Sequence, residues 1–129
     1  MENPNTNVRF TDIIPFREVS DYYSLADVFF FPSFQENCPM VVAEAAAAGL
    51  PIILRNNPEY KDLYANNYIA AGEDEFSVEL ARLSNDKNYY ASYKQKALKL
   101  AEDYDYAKVA ERYAELFHSV IEKKLDKYQ

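Results

Sequence analysis

Two carboxylates, Glu36 and Glu44, stand eight residues apart in a stretch that is otherwise poor in charge, FFPSFQENCPMVVAEAAAAGLPIILRN. Glu44 is the only charged residue between Pro39 and Leu54. A carboxylate among Met, Val and Ala is costly to ionise unless hydrogen-bond donors surround it, so its surroundings must supply them. Glu36 lies in the loop after a β-prone run, where open parallel sheets bind ligands beyond the carboxyl ends of their strands. Between the two, the first turn of a helix offers free backbone amides and the positive end of a dipole, which suit a diphosphate. In that arrangement one glutamate holds a sugar and the other a ribose.

The elements that must position these residues are legible around them. Val28–Phe31 is a continuous β-prone run closed by Pro32, and Pro51–Leu54 is another, as expected of strands buried on both faces of a parallel sheet. Pro39 falls at about the first helical position, with Asn37 or Cys38 before it, and sets the start of a helix. Gly49 after four alanines sets its stop, because glycine enters the left-handed cap cheaply.

Upstream, Val8–Thr11 with Ile13 and Ile14 reads as a short strand or the exit of one, broken by Pro15, and Val19, Tyr22, Tyr23 and Ala26 give helical spacing over 17–26. Downstream, the pattern predicts a helix from Pro58 to Tyr64, a strand over 68–71 stopped by Gly72, and helices over 73–84, 88–104 and 107–127. The last carries a stripe of Val109, Ala110, Tyr113, Leu116, Phe117, Val120 and Ile121. Strands alternating with helices predict an α/β fold, a Rossmann-like parallel sheet of three to four strands.

Composition narrows the class. At 129 residues and 49% hydrophobic content the chain is one globular unit able to bury a core. A net charge of −7 argues against a nucleic-acid footprint. The single cysteine, Cys38, cannot close an internal disulfide, and no apolar signal region follows Met1, so a reducing cytoplasm is the default location. No run has membrane-spanning length, the 2 glycines form no Gly-rich phosphate loop, and no ligand cluster suggests a metal or resident cofactor.

The passage resembles the E-x7-E signature of family 4 retaining GT-B glycosyltransferases, with Glu36 and Glu44 as its ends and PSFQEN, VVAEAAAAGLPII and the upstream YSLADVFFFPS around them. The resemblance implies that Glu36 is catalytic and contacts hydroxyls of the donor sugar. It also implies that the loop of Asn37, Cys38, Pro39, Met40 and Val41 meets the diphosphate of a UDP-sugar, and that Glu44 holds the ribose. It extends over the element order to the last helix, dividing the chain into a partial nucleotide-sugar-binding unit, 1–104, and a helix, 105–129, that crosses to an N-terminal acceptor lobe. That lobe, and earlier donor-lobe strands carrying basic residues, are not recognisable within these 129 residues. The chain thus looks like the C-terminal part of a donor lobe, expected to have no appreciable transferase activity by itself.

This sequence departs from the family pattern at Asn37 and Pro39, where glycines are usual, and at Arg55-Asn56-Asn57-Pro58-Glu59, where a Gly-Gly pair commonly precedes the later glutamate. QENCPM together with LRNNPEY is similar, more narrowly, to Gram-positive enzymes that add a hexose to diacylglycerol-type glycolipids. That similarity implies a membrane glycolipid acceptor and a peripheral place at the inner membrane face.

Other residues carry less. Arg55 ends a buried strand on the ligand side, where it either assists an anionic group or pairs with a neighbouring acid. Cys38 has no His or Asn constellation to make it a nucleophile, and His118, the single histidine, reads as a surface or packing residue of the last helix. Lys123, Lys124 and Lys127 suit a helix C-terminus first and a membrane surface second. The competing function is a non-catalytic α/β interaction module in which both glutamates are structural. A receiver domain is disfavoured because its early acid pair and later strand-end lysine are missing.

Overall fold

The computed structural model describes residues 7–126. Three short parallel strands form the sheet in the order β1 (Phe29–Phe31), β2 (Ile52–Arg55), β3 (Ile69–Ala71). Phe30 pairs with Ile53 and Leu54 with Ala70, so the three carboxyl ends emerge side by side. β2 is the centre: Ile52, Ile53 and Leu54 are fully buried, each contributing on the order of 1.5–3 kcal/mol by leaving water.

Because side chains alternate along a strand, β2 serves two cores. Ile52 and Leu54 meet Val42, Ala46, Tyr60, Tyr64, Tyr68, Ala97 and Leu100 on one face. Ile53 joins Ile69, Ala71, Phe76 and Leu83 on the other. The uninterrupted apolar run was the sequence signal for a strand covered on both sides, and helices cover both.

Between β1 and β2 runs α2 (Met40–Ala47), which packs chiefly on α5 (Lys87–Asp103). Alanines at 43, 45 and 46 leave little side chain between the two axes, which is what allows the close approach. Gly49 ends α2 at φ +72°, with its amide bonded to Ala46 O and that of Leu50 to Ala45 O. A Cβ there would also meet Leu98 of α5 at 3.4 Å. α3 (Pro58–Tyr64) links β2 to β3, and α4 (Phe76–Asn85) follows β3 after a 3-10 turn at Glu73–Glu75.

Three expectations need correction. The segment 8–14 is no strand: Asp12 takes a left-handed φ of 53°, Ile13 is 98% exposed, and among the described residues nothing pairs with the outer edge of β1. Alternating apolar residues cannot hold a strand without a ladder partner, so the described residues give a sheet of three strands, within the three to four expected. The helix expected over 17–26 is a 3-10 turn, Phe16–Glu18, followed by α1 (Val19–Leu25), and of its stripe only Val19 and Tyr23 are partly covered. Pro39 sits one position earlier than expected, at the N-cap of α2 in extended conformation (φ −71°, ψ 108°). The last helix, α6 (Tyr106–Asp126), has the expected stripe but leaves it in solvent, and Lys127 lies outside the described residues.

Candidate functional site

The carboxyl ends of β1, β2 and β3 open into the loop 32–39, the Asn56–Asn57 link and the turn after Gly72. The loop of β1 is tied down from its neighbours at three points. Arg55 Nε donates to Pro32 O at 2.9 Å, Asn57 Nδ2 to Phe34 O at 3.4 Å, and the Tyr64 hydroxyl to Pro39 O at 3.5 Å. Within it Glu36 is half-buried and accepts a hydrogen bond from Ser33 Oγ at 2.9 Å.

Asn37 and Cys38 are exposed, and Cys38 is a free thiol. The helix that follows has no side-chain cap, so the amides of Met40 and Val41 at its start lack a capping partner from the protein; that of Val42 bonds to Pro39 O at 3.1 Å. Met40 and Val41 carry exposed side chains, while Val42 and Ala43 of the same turn are buried, so the helix enters the core from an open start.

One turn further on, Glu44 is half-buried, and its Oε2 accepts a hydrogen bond from the Tyr23 hydroxyl at 3.0 Å. Burial, together with the hydrogen bond to Glu44 and its charge, pushes the Tyr23 phenol up to about 12, so it is a firm donor at neutral pH. The sequence suggested a carboxylate among apolar neighbours. Glu44 borders two mainly apolar grooves, one of about 500 Å³ with Phe16, Val19 and Ala47 beside Arg17, the other of about 780 Å³ with Met40, Leu98 and Ala101 beside Lys108. No peptide group binds it among the described hydrogen bonds, and one oxygen remains open to a visiting hydroxyl.

The two glutamates are not joined. Glu44 faces α1 through Tyr23, whereas the charge of Glu36 is felt by Tyr60 and Tyr64 of α3, whose phenols are raised first by burial. In the chain the start of α2 leads from the Glu36 loop to Glu44, and this stretch, 32–44, is the rim of the candidate site.

Arg55 resolves toward the structural alternative. Its guanidinium is only 17% exposed, lies 3.7 Å from Glu73 Oε2, and stacks over Phe34 at 3.7 Å and Phe76 at 5.3 Å. It braces the rim rather than projecting into it. Tyr23, Ser33 and Asn57 were missed as site residues. Asn57 carried a signal, since it replaces a glycine next to the site, while a tyrosine in an amphipathic stripe carries none that separates packing from donating. His118 is exposed on α6. Among the described residues no cluster could hold a metal ion, and no helix is long and apolar enough to cross a membrane.

The sequence pattern of the family described as Glycosyl transferases group 1 matches residues 2–100. The chain belongs to that family. The fold of this glycosyltransferase family is the GT-B Rossmann-like domain, to which the three-stranded parallel sheet with flanking helices corresponds. The chain is 34% identical over 105 residues to the alpha-galactosylglucosyldiacylglycerol synthase of Streptococcus pneumoniae, covering 81% of this chain and 28% of that protein. It is 32% identical over 102 residues to an uncharacterized glycosyltransferase of Haemophilus influenzae, covering 74% and 29%. To the processive diacylglycerol alpha-glucosyltransferase of Acholeplasma laidlawii it is 29% identical over 105 residues, covering 79% and 31%. The chain thus spans less than a third of the length of these curated relatives. The names of the Streptococcus pneumoniae and Acholeplasma laidlawii proteins agree with the glycolipid subgroup that QENCPM and LRNNPEY suggested.

Proposed function

We propose that this glycosyltransferase chain is the donor-binding part of a retaining hexosyltransferase that uses a UDP-hexose. The observation that supports the reading best is the rim itself. Uncapped amides at the start of α2 are flanked by two half-buried carboxylates, each held by one hydroxyl on one side. A diphosphate takes the amides of Cys38, Met40 and Val41 and the positive end of the α2 dipole. Glu36 meets hydroxyls of the hexose as the catalytic carboxylate. The oxygen of Glu44 that Tyr23 leaves open accepts from the ribose hydroxyls, which donate well to an ionised acceptor.

The acceptor is a diacylglycerol-type glycolipid, in keeping with the names of two of the relatives. An acceptor of that kind places the working enzyme at a cytoplasmic membrane face. Residues 1–104 form the nucleotide-sugar unit, and 105–129 cross to an acceptor lobe that covers the apolar stripe of α6. Since transfer takes place between two lobes, the chain alone has no appreciable turnover, and a rate assay with UDP-glucose and a diacylglycerol acceptor checks this.

Titration of the chain with UDP tests the reading. Saturable binding is expected, weakened about tenfold or more in Glu44→Ala, the scale of a lost hydrogen bond to a charged group. Equal weak binding by both proteins would rule it out.

A further inference from the structure

Tyr60 is fully buried, and its hydroxyl is out of solvent with no hydrogen-bond partner among the described residues. A buried phenol oxygen left unpaired is expensive, and each such group in a folded chain calls for a reason. Its place on α3 supplies one. Asn57, Tyr60 and Tyr64 stand at i, i+3 and i+7, so they share one face of the helix and its cap. The outer two hold the β1 loop, Asn57 at Phe34 O and Tyr64 at Pro39 O. Tyr60 lies between them on the helix, as Glu36 lies between Phe34 and Pro39 in the loop.

Ser33 engages only Oε1 of Glu36, and no hydrogen bond among the described residues reaches Oε2. Burial, and after it the charge of Glu36, raises the Tyr60 phenol, so Tyr60 remains protonated at neutral pH. The α3 face that ties the loop on either side of Glu36 thus carries an orphan donor, and Glu36 an unused acceptor.

We propose that in the donor-bound site the Tyr60 hydroxyl donates to the carboxylate of Glu36, making Tyr60 a positioning residue for that glutamate. Two protein donors, Ser33 from within the loop and Tyr60 from below, fix the plane of the carboxylate and leave its remaining lone pairs for the hexose hydroxyls. Resting as it does on the donor-binding reading of Glu36, the role concerns the sugar and not the nucleotide.

Calorimetric titration of the 129-residue chain with UDP and with UDP-glucose separates the two, read as the ratio of the dissociation constants. Tyr60→Phe is expected to shift that ratio roughly three- to tenfold against UDP-glucose, the scale of one hydrogen bond, with UDP affinity and melting temperature held. Glu36→Gln should shift it at least as far, and the double variant no further than Glu36→Gln alone. Tyr68→Phe, which removes an equally buried and unpartnered hydroxyl, is the control and should leave the ratio unchanged.

If Glu36→Gln moves the ratio and Tyr60→Phe does not, or if the two effects simply add, Tyr60 has no such role while the donor reading stands. A Tyr60→Phe protein that melts lower, or fails to fold, with no selective loss of UDP-glucose marks the hydroxyl as structural and also overturns the proposal. If the wild type binds neither ligand, or Glu36→Gln leaves the ratio unchanged, the donor reading itself falls, and the role of Tyr60 with it.

Discussion

α5 and α6 each begin at an aspartate whose side chain accepts from the first helical amides, Asp86 from Asn88 and Tyr89 and Asp105 from Ala107 and Lys108. Each then carries tyrosines and aliphatic residues at helical spacing. Yet α5 buries Ala97 and Leu100 almost completely against α2, while on α6 Phe117 stays 63% exposed and Leu116, Val120 and Ile121 are similarly open. The difference lies in what each helix meets. α5 faces an alanine-lined helix that it can approach closely, whereas α6 meets no such surface among the described residues. Periodicity states which face of a helix needs covering, and only the rest of the fold decides whether the cover is present.

The largest expected effect breaks the comparison at its centre. Leu100→Ala should cost about 2–5 kcal/mol of unfolding free energy in urea, whereas Phe117→Ala should stay within about 0.5 kcal/mol. Equal losses would mean that α6 is covered in solution. Next comes Gly49→Ala, which forces a Cβ into a left-handed φ and against Leu98 at the α2–α5 contact. It should cost about 1–2 kcal/mol in the same measurement. The two caps sharpen the contrast further. Asp86→Ala should lower global stability by about 1 kcal/mol, while Asp105→Ala should fray α6, seen as faster amide exchange at Ala107 and Lys108, with the global midpoint unchanged.

The smallest effect concerns the hydroxyl that joins α1 to α2. Tyr23 is shifted from the usual 10.0 to about 12 in the folded chain, so folding favours its protonated form. That contribution is complete below pH 10 and is lost as pH rises through 12, and Tyr23→Phe should therefore show a shallower fall in melting temperature over that interval.

Much of the positioning frame could be read before the structure, because single residues dictated it. Gly49 stops α2 in a conformation that other residues enter at a cost, Pro58 starts α3, and Ile52 to Leu54 could only be a strand covered twice. Where the reading failed, the missing information was tertiary. Val8 to Ile14 has the composition of a strand and, among the described residues, no neighbour with which to be one. For Arg55 two roles were open, and the choice fell to Glu73 and two aromatic rings brought from distant parts of the chain.

Glu36 and Glu44 stood out as types, but the hydroxyls that hold them did not. Ser33 is local and could have been guessed, while Tyr23 comes from a helix whose pattern looks the same whether its phenols pack or donate.

The guanidinium of Arg55 has a reach beyond its own strand. It hooks the first carbonyl after β1, leans on Phe34 in that loop and Phe76 past β3, and touches Glu73 in the turn between. One side chain thereby fastens the exits of all three strands into a single plate. A disturbance at Phe76, on the far side of the sheet, should then be transmitted to the loop holding Glu36 without any change in the residues that would touch a sugar.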